Sequence, residues 1–181
     1  MIISLTGFMG CGKSSVGRKL SELLCCSFMD LDDVIVLRAG RSIPEIFETD
    51  GEAAFRQMEH DVLRDITSQP IENSTIVLAL GGGAVMQEKC ERMVHENTVC
   101  IYLKASVDTL LSHLEGQAAG RPLLNNPSVM SSEVETSHLR KRILDLMDKR
   151  AATYERVAHH IIDTDGKNVL EIAREIIQIL S

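Results

Sequence analysis

The sequence predicts an α/β fold in which helices cover both faces of a parallel β-sheet. Short apolar runs recur along the 181 residues and alternate with longer stretches whose apolar residues have helical spacing. Strands that alternate with helices form βαβ units, and such units give parallel sheets. The runs are Ile2–Leu5, Cys26–Met29, Ile76–Leu80, Thr98–Leu103 and His160–Ile162. A glycine-rich segment directly after the first run is a further mark of this fold class.

The stretches between the runs predict helices. Apolar residues repeat at intervals of three and four within Lys13–Leu24 and Phe55–Ile66, and Val169–Leu180 has the pattern of an amphipathic closing helix. Ser42–Glu45 has the form of a capping box, in which the first and fourth side chains each bond the other residue's backbone N–H. A helix should therefore begin there, and Asp50–Gly51 should break or bend it.

The segment Glu115–Ser132 has none of this helical spacing. It is rich in glycine, proline, asparagine and serine instead. A loop of this length within a compact domain is usually either a functional lid or disordered. We therefore expect a mobile lid over roughly residues 115–132, within one domain that spans residues 1–181.

Composition and charge exclude several functional classes. The net charge of −7 argues against nucleic acid as a partner, because phosphate backbones are bound by clustered Lys and Arg. No apolar run approaches the roughly 20 residues that span a bilayer, and the first run is too short for a signal peptide, so we expect a cytoplasmic protein with no membrane partner. Five cysteines, without a C-x-x-C pair, indicate neither a disulfide framework nor a structural metal site.

The strongest motif is Gly7–Ser14, which reads GFMGCGKS and fits the P-loop pattern G-x-x-x-x-G-K-[ST]. It lies between a predicted strand and a predicted helix, as a P-loop does, which argues against a chance glycine-rich turn. The motif predicts a P-loop NTPase-type three-layer fold. Backbone N–H groups would surround the phosphates of ATP, Lys13 would add a positive charge, and Ser14 would ligate Mg²⁺. The predicted ATP-binding residues of the loop are Gly10, Cys11, Gly12, Lys13, Ser14 and Ser15.

Cys11 has two interpretations. A thiol near a helix N-terminus can be reactive, which would make the P-loop sensitive to oxidation. The simpler interpretation is that the loop tolerates a small residue at this position.

Three carboxylates follow the second predicted strand. Asp30 and Asp32 share one face of an extended chain, at the strand end where open α/β sheets bind ligands. One carboxylate could hold Mg²⁺ while the other accepts a proton from an attacking hydroxyl. The alternative is a helix N-cap, for which Asp33 is the first candidate.

Further candidates are Arg56, Arg121, Arg150 and the triplet Gly81–Gly83. Taken alone, each arginine is most simply a surface residue. The triplet follows the strand Ile76–Leu80, where three glycines would let a ligand approach the backbone closely. The alternative is a plain turn, although a turn rarely needs three glycines in a row.

Together these segments resemble the shikimate kinase family nearly from end to end. The residues that carry the resemblance are the P-loop, Asp30 and Asp32, Arg56 in AFR, the triplet in LGGGAV, Arg121 in RPLL, and Arg150 with Tyr154. The resemblance implies a five-stranded parallel sheet of order 2-3-1-4-5 and a mobile lid. It also implies transfer of the ATP γ-phosphate to the 3-hydroxyl of shikimate, in the pathway to chorismate. We expect the enzyme to be a monomer.

The same resemblance assigns roles to the candidate residues. Asp32 would bind the substrate hydroxyls and act as the base, while Asp30 and Ser14 would serve Mg²⁺. Arg56 and Arg150 would bind the substrate carboxylate, and the backbone of Gly81, Gly82 and Gly83 would complete the pocket. Arg121 would arrive with the lid and, with Lys13, stabilise charge on the transferring phosphoryl group.

The sequence departs from the family pattern in two places. The chain between Arg121 and Arg150 is longer than the family pattern, with Asn125–Thr136 as the insertion. Near the adenine, where members often have an arginine and a proline, this sequence has His113 and Asp163–Val169.

Two rival functions remain. One is another small-metabolite P-loop kinase, such as a gluconate kinase, and the other is a nucleotide-binding regulatory module without turnover.

Overall fold

A computed structural model describes residues 1–68, 74–114 and 132–181 of the chain. Its strands are β1 (Ile2–Thr6), β2 (Ser27–Asp30), β3 (Ile76–Ala79), β4 (Val99–Lys104) and β5 (His160–Asp163). Its helices are α1 (Lys13–Leu24), α2 (Leu31–Ala39), α3 (Ile43–Thr49), α4 (Gly51–Ser68), α5 (Glu88–Asn97), α6 (Val107–Leu114), α7 (Ser132–Val157) and α8 (Val169–Leu180). One 3₁₀ turn, Ala84–Met86, follows β3. The predicted lid and its insertion lie mostly outside the described residues.

The five strands form one parallel sheet in the order β2-β3-β1-β4-β5, so the predicted sheet is confirmed. β1 is central and fully buried, because it pairs with β3 on one side and β4 on the other. Parallel strands end at the same edge of a sheet. The segments after β1, β2 and β3 therefore meet there, and they are the P-loop, the aspartates and the glycine triplet.

The strand limits differ slightly from the predicted ones. β2 begins at Ser27 rather than Cys26, because the end of α1 extends over the two cysteines. Cys25 caps α1 in the left-handed conformation at φ 50°, and the N–H of Cys26 bonds the carbonyl of Ser21. These backbone groups are used by the helix end and cannot join the sheet.

The helix starts include one correction. The N-cap of α2 is Asp30, not Asp33, because the Asp30 carboxylate accepts a hydrogen bond from the N–H of Asp32. The predicted capping box of α3 is confirmed, with Ser42 and Glu45 bonding each other's backbone N–H.

Helices on the two faces of the sheet bury a continuous apolar core, and they position the strand ends. α1 and α8 pack together on one side, while α4 and α5 pack together elsewhere. Within the described ranges, no helix has both the length and the apolar character needed to cross a membrane.

The cap of α8 gives a stability prediction. The Asn168 side chain accepts hydrogen bonds from the N–H groups of Leu170 and Glu171, which would otherwise lack partners. Asn168→Ala should therefore lower the free energy of unfolding by about 1 kcal/mol and the Tm by about 2–4 °C. Asn168→Asp keeps the acceptor and should match the wild type in the same thermal melts. An unchanged Tm in Asn168→Ala would contradict this role.

Candidate active site

A cavity of about 850 Å³ opens at the carboxyl ends of β1, β2 and β3. It brings together most of the residues predicted from the sequence: Gly10, Gly12, Lys13, Ser14, Ser15, Asp30, Asp32, Arg56, Gly81, Gly82, Gly83 and Arg150. Cys11 does not line the cavity. Its side chain is buried and its N–H bonds the carbonyl of Phe8 within the loop. Arg121 lies outside the described residues.

The P-loop presents unused backbone donors to this cavity. Gly10 and Gly12 have φ values of 85° and 93°, which side chains rarely adopt, and Gly12 caps α1 without any side-chain hydrogen bond. No side chain in the described part of the protein caps the first N–H groups of α1, and these groups add to the positive end of the helix dipole. The Lys13 ammonium lies along the loop and donates to the carbonyls of Gly7 (2.9 Å) and Phe8 (3.0 Å). This arrangement suits a polyphosphate.

Ser14 and Asp30 lie next to each other beside the P-loop. The Ser14 hydroxyl donates to Asp30 Oδ2 at 2.5 Å, so a hydroxyl and a carboxylate converge on one point. Among the described residues, no group of three or more His, Cys, Asp or Glu could hold a metal ion. Mg²⁺ does not need such a group, because it is usually held by one or two protein oxygens, waters and substrate phosphates. The pair therefore fits Mg²⁺ in the predicted way.

Asp32 lines the cavity near both Lys13 and Arg56. Burial raises the pKa of its carboxyl, and the neighbouring Asp30 raises it further, while Lys13 and Arg56 act in the opposite direction. The carboxylate is therefore a stronger base than an exposed aspartate.

Arg56 forms a buried ion pair that we did not predict from the sequence. Its guanidinium donates to Glu59 at 2.5 Å and to Glu52 at 3.2 Å, and the Glu59 side chain is only 1% exposed. A signal was present in the sequence. Glu59 is the one charged residue among the buried positions of α4, which are Phe55, Glu59, Val62, Leu63 and Ile66. A carboxylate within an apolar stripe requires a buried partner.

Burial raises the pKa of Glu59 to about 7. The ion pair with Arg56 opposes this effect, as does the charge of Arg150, whereas the nearby Asp32 carboxylate adds to it. The charge of Glu59 near neutral pH therefore depends on the cations around it.

The glycine triplet fits between these charged side chains. A Cβ atom on Gly81 would lie 2.8 Å from Glu59 Oε1 and 2.9 Å from Asp32 Oδ1, and one on Gly83 would lie 2.7 Å from the Arg56 guanidinium. Any side chain at these two positions would displace a charged group. The close approach of backbone to Asp32 and Arg56 thus explains why glycines are needed here.

Arg150 reaches the cavity from α7. The residue is only 8% exposed, and its guanidinium donates to the carbonyl of Gly82 at 3.3 Å. Within the described parts of the chain it forms no ion pair, unlike Arg56. A buried guanidinium without a carboxylate partner is able to bind an anion.

Other lining residues were not predicted as site residues. Ile43, Phe47 and Phe55 form an apolar wall beside Arg56, and the two phenylalanine rings pack at 4.9 Å. At the P-loop end, His113 and Val169 line the cavity, and the Nδ1 of His113 bonds the carbonyl of Gly10 at 2.8 Å. The sequence alone does not identify these residues as lining the cavity, because their positions there depend on packing between segments that are distant in the chain.

Comparison with known proteins shows to which family the chain belongs. A model of the family described as Shikimate kinase matches residues 9–181. The chain belongs to the shikimate kinase family. Membership agrees with the sequence resemblance, and it favours this family over the gluconate kinase alternative.

Relatives match over nearly the whole chain. The Shikimate kinase of Salinibacter ruber is 38% identical over 181 residues, which cover 100% of this chain and 85% of that protein. One from Thermus thermophilus is 37% identical over 176 residues, 97% of this chain and 88% of that protein. Among solved structures, shikimate kinase from Acinetobacter baumannii in complex with shikimate has 34% identity and a TM-score of 0.87, covering 99% of this chain and 92% of that one. Shikimate kinase from Aquifex aeolicus has 28% identity and a TM-score of 0.76, with 99% and 96% covered.

The buried Glu59 gives a pH-dependent stability prediction for this family member. Its folded pKa of about 7 lies above the ordinary value of 4.5. The folded state thus binds the proton more tightly than the unfolded state does. The stabilisation that protonated Glu59 gives to the folded state is therefore fully present below pH 4.5 and is lost as the pH rises through 7. The free energy of unfolding of the wild type minus that of Glu59→Gln should therefore fall by about 3 kcal/mol across this range.

Urea titrations at several pH values measure this difference. Glu52→Gln is the matched control, because it removes the other carboxylate that contacts Arg56. The Glu52 side chain is 57% exposed. The difference in free energy of unfolding between the wild type and Glu52→Gln should change much less with pH. A difference between the wild type and Glu59→Gln that stays constant from pH 4.5 to 7 would contradict the prediction.

Proposed function

We propose that this chain transfers the γ-phosphate of ATP to the 3-hydroxyl of shikimate, producing shikimate 3-phosphate and ADP. The main support is the cavity itself, in which the P-loop, Asp32 and the buried Arg150 converge in a member of the shikimate kinase family. Such a cavity offers a place for a polyphosphate, a base for an alcohol and a cation for a carboxylate. Shikimate has both the alcohol and the carboxylate.

Arg56 and Arg150 bind the substrate carboxylate in this proposal. A planar guanidinium matches a carboxylate with two parallel hydrogen bonds and stays charged at every relevant pH. Arg150 has no ion-pair partner among the described residues, so it can bind an anion without breaking a salt bridge. Arg56 shares its charge with Glu59, which orients the guanidinium towards Gly83. The backbone of Gly81, Gly82 and Gly83 completes this half of the pocket.

Asp32 accepts the proton of the 3-hydroxyl as the hydroxyl oxygen bonds to the γ-phosphorus. The bond between that phosphorus and the oxygen bridging to the β-phosphorus breaks, and ADP leaves with the bonding electron pair. The raised pKa of Asp32 favours its role as the base. Lys13 exchanges its loop carbonyls for phosphate oxygens, and the amides of Gly10, Gly12, Ser14 and Ser15 hold the β-phosphate. The N–H of Cys11, which we predicted to bind ATP, instead supports the loop by bonding the carbonyl of Phe8.

Mg²⁺ is the proposed cofactor, with Ser14 and Asp30 as its protein ligands. When bound, it would neutralise the negative charge of the β- and γ-phosphates. The Asp30 carboxylate is held in place because it also caps α2. A fixed carboxylate needs little reorganisation to bind a cation, which supports this assignment.

The remaining expectations are proposals of the same kind. Arg121 would stabilise charge on the transferring phosphoryl group when the lid of residues 115–132 covers the site. The adenine would lie at the cavity end formed by His113 and Val169. We propose that residues 1–181 act as one kinase domain, as a monomer in the cytoplasm.

A coupled assay of ADP release tests the proposed substrate. With Mg²⁺ and ATP, the wild type should turn over with shikimate and release no more ADP with gluconate than without an acceptor. Gluconate lacks the ring that the apolar wall of Ile43, Phe47 and Phe55 would contact. Turnover with gluconate alone would favour the other kinase class. ATP binding without turnover on either acceptor would favour a regulatory module.

Asp32→Asn tests the proposed base. It keeps the size of the side chain but removes proton acceptance, so kcat with shikimate should fall by about 10²–10⁴-fold while the KM for ATP changes little. Asp33→Asn is the matched control, because Asp33 is adjacent and its side chain is 73% exposed. The control should keep wild-type kinetics. Equal losses in the two variants, or none in Asp32→Asn, would contradict the assignment.

A further inference from the structure

Tyr154 is almost fully buried, yet its hydroxyl bonds the backbone of the active site. The residue is 1% exposed on α7, and its hydroxyl donates to the carbonyl oxygen of Gly82. Arg150 lies one helical turn earlier and donates to the same oxygen at 3.3 Å. The last turns of α7 therefore hold the middle carbonyl of the glycine triplet from one side.

The other carbonyls of the triplet are also directed into the protein. The carbonyl of Gly81 accepts from the N–H of Ala84 at 3.1 Å, and that of Gly83 accepts from the N–H of Met86 at 3.0 Å. The N–H groups of the three glycines, in contrast, have no acceptor among the described residues. The triplet thus uses its acceptors for folding and leaves its donors to the cavity that it lines.

The geometry of a trans peptide connects the two sides of this loop. A trans peptide directs the carbonyl of one residue and the N–H of the next to opposite sides, and the described chain has no cis peptide. When Tyr154 and Arg150 hold the carbonyl of Gly82, the N–H of Gly83 faces away from α7. Gly83 is the residue whose backbone approaches Arg56, so this donor lies beside the proposed carboxylate site.

We propose that Tyr154 is a positioning residue for the substrate half of the site: its hydroxyl fixes the Gly82 carbonyl and thereby aims the N–H of Gly83 at the substrate. The inference rests on the proposed function, because it assigns this donor to the bound acceptor. Packing alone does not require the hydroxyl. The ring of Tyr154 packs on Tyr102 with centroids 5.3 Å apart, and a phenylalanine would fill the same space.

The hydroxyl is a donor at every working pH. Burial raises the pKa of the Tyr154 phenol well above its usual value, and the nearby Arg150 only partly opposes this. The contact should therefore be independent of pH, unlike any effect that depends on Glu59, whose pKa is about 7.

Tyr154→Phe tests the inference by kinetics. Losing one buried hydrogen bond should raise the KM for shikimate by about five- to tenfold, with the KM for ATP changed less than about twofold, because the P-loop amides do not depend on this carbonyl. The ratio of the variant KM to the wild-type KM should stay constant from about pH 6 to 9. Tyr102→Phe is the matched control. This variant removes the hydroxyl of Tyr102, the other ring in the pair. That hydroxyl makes no hydrogen bond to any described residue, so the variant should keep the wild-type KM values for shikimate and ATP.

NMR gives a second test, and its first part uses the wild type alone and so does not depend on the variant folding. With ¹⁵N-labelled glycine, addition of shikimate should shift the Gly83 amide resonance, and Tyr154→Phe should reduce that shift. An unmoved Gly83 resonance, or equal KM values for Tyr154→Phe and the wild type, would overturn the inference. Wild-type protein that does not phosphorylate shikimate at all would instead reject the proposed function, so the two failures are distinguishable.

Discussion

The parallel pairing of β2, β3 and β1 is the constraint on which the site depends. These three strands are neighbours in the sheet, and each ends in a segment that carries different chemistry. β1 leads into the P-loop, β2 into Asp30 and Asp32, and β3 into the glycine triplet. Because the strands run in the same direction, the segments that we propose for phosphate binding, proton acceptance and substrate binding line one cavity.

Charge balance in that cavity explains why its parts are coupled. Arg56 pairs directly with Glu59, and the glycine triplet packs against Asp32, Glu59 and Arg56. The largely buried Arg150 adds a second positive charge that acts on Glu59. Burial raises the pKa of both carboxyls, and nearby arginine charge limits the increase. An incoming substrate carboxylate would compete with Glu59 for Arg56 but not for Arg150. The two arginines are therefore not equivalent, although the sequence offers no reason to separate them.

The sequence predicted the elements whose chemistry is local. The P-loop motif specifies both its glycines and the start of α1, and the capping box of α3 depends on residues three apart. The strand order required the family resemblance, because apolar runs show that strands exist but not which of them pair. Among the three aspartates, Asp33 was the first candidate for an N-cap, whereas Asp30 is the cap of α2, because the choice depends on where β2 ends. Glu59 was missed although its place among the buried positions of α4 could be seen in the sequence. The contact between the Tyr154 hydroxyl and Gly82 was missed because it joins segments that meet only in the folded chain.

The most direct test of the proposed site is a crystal structure of the chain with Mg²⁺, shikimate and a non-hydrolysable ATP analogue. We expect the shikimate carboxylate on Arg56 and Arg150, with the 3-hydroxyl between Asp32 and the γ-phosphorus. Within the same complex, Ser14 and Asp30 should lie beside the metal ion. Shikimate bound with its carboxylate away from both arginines, or Asp32 out of hydrogen-bond reach of the 3-hydroxyl, would contradict the proposed site.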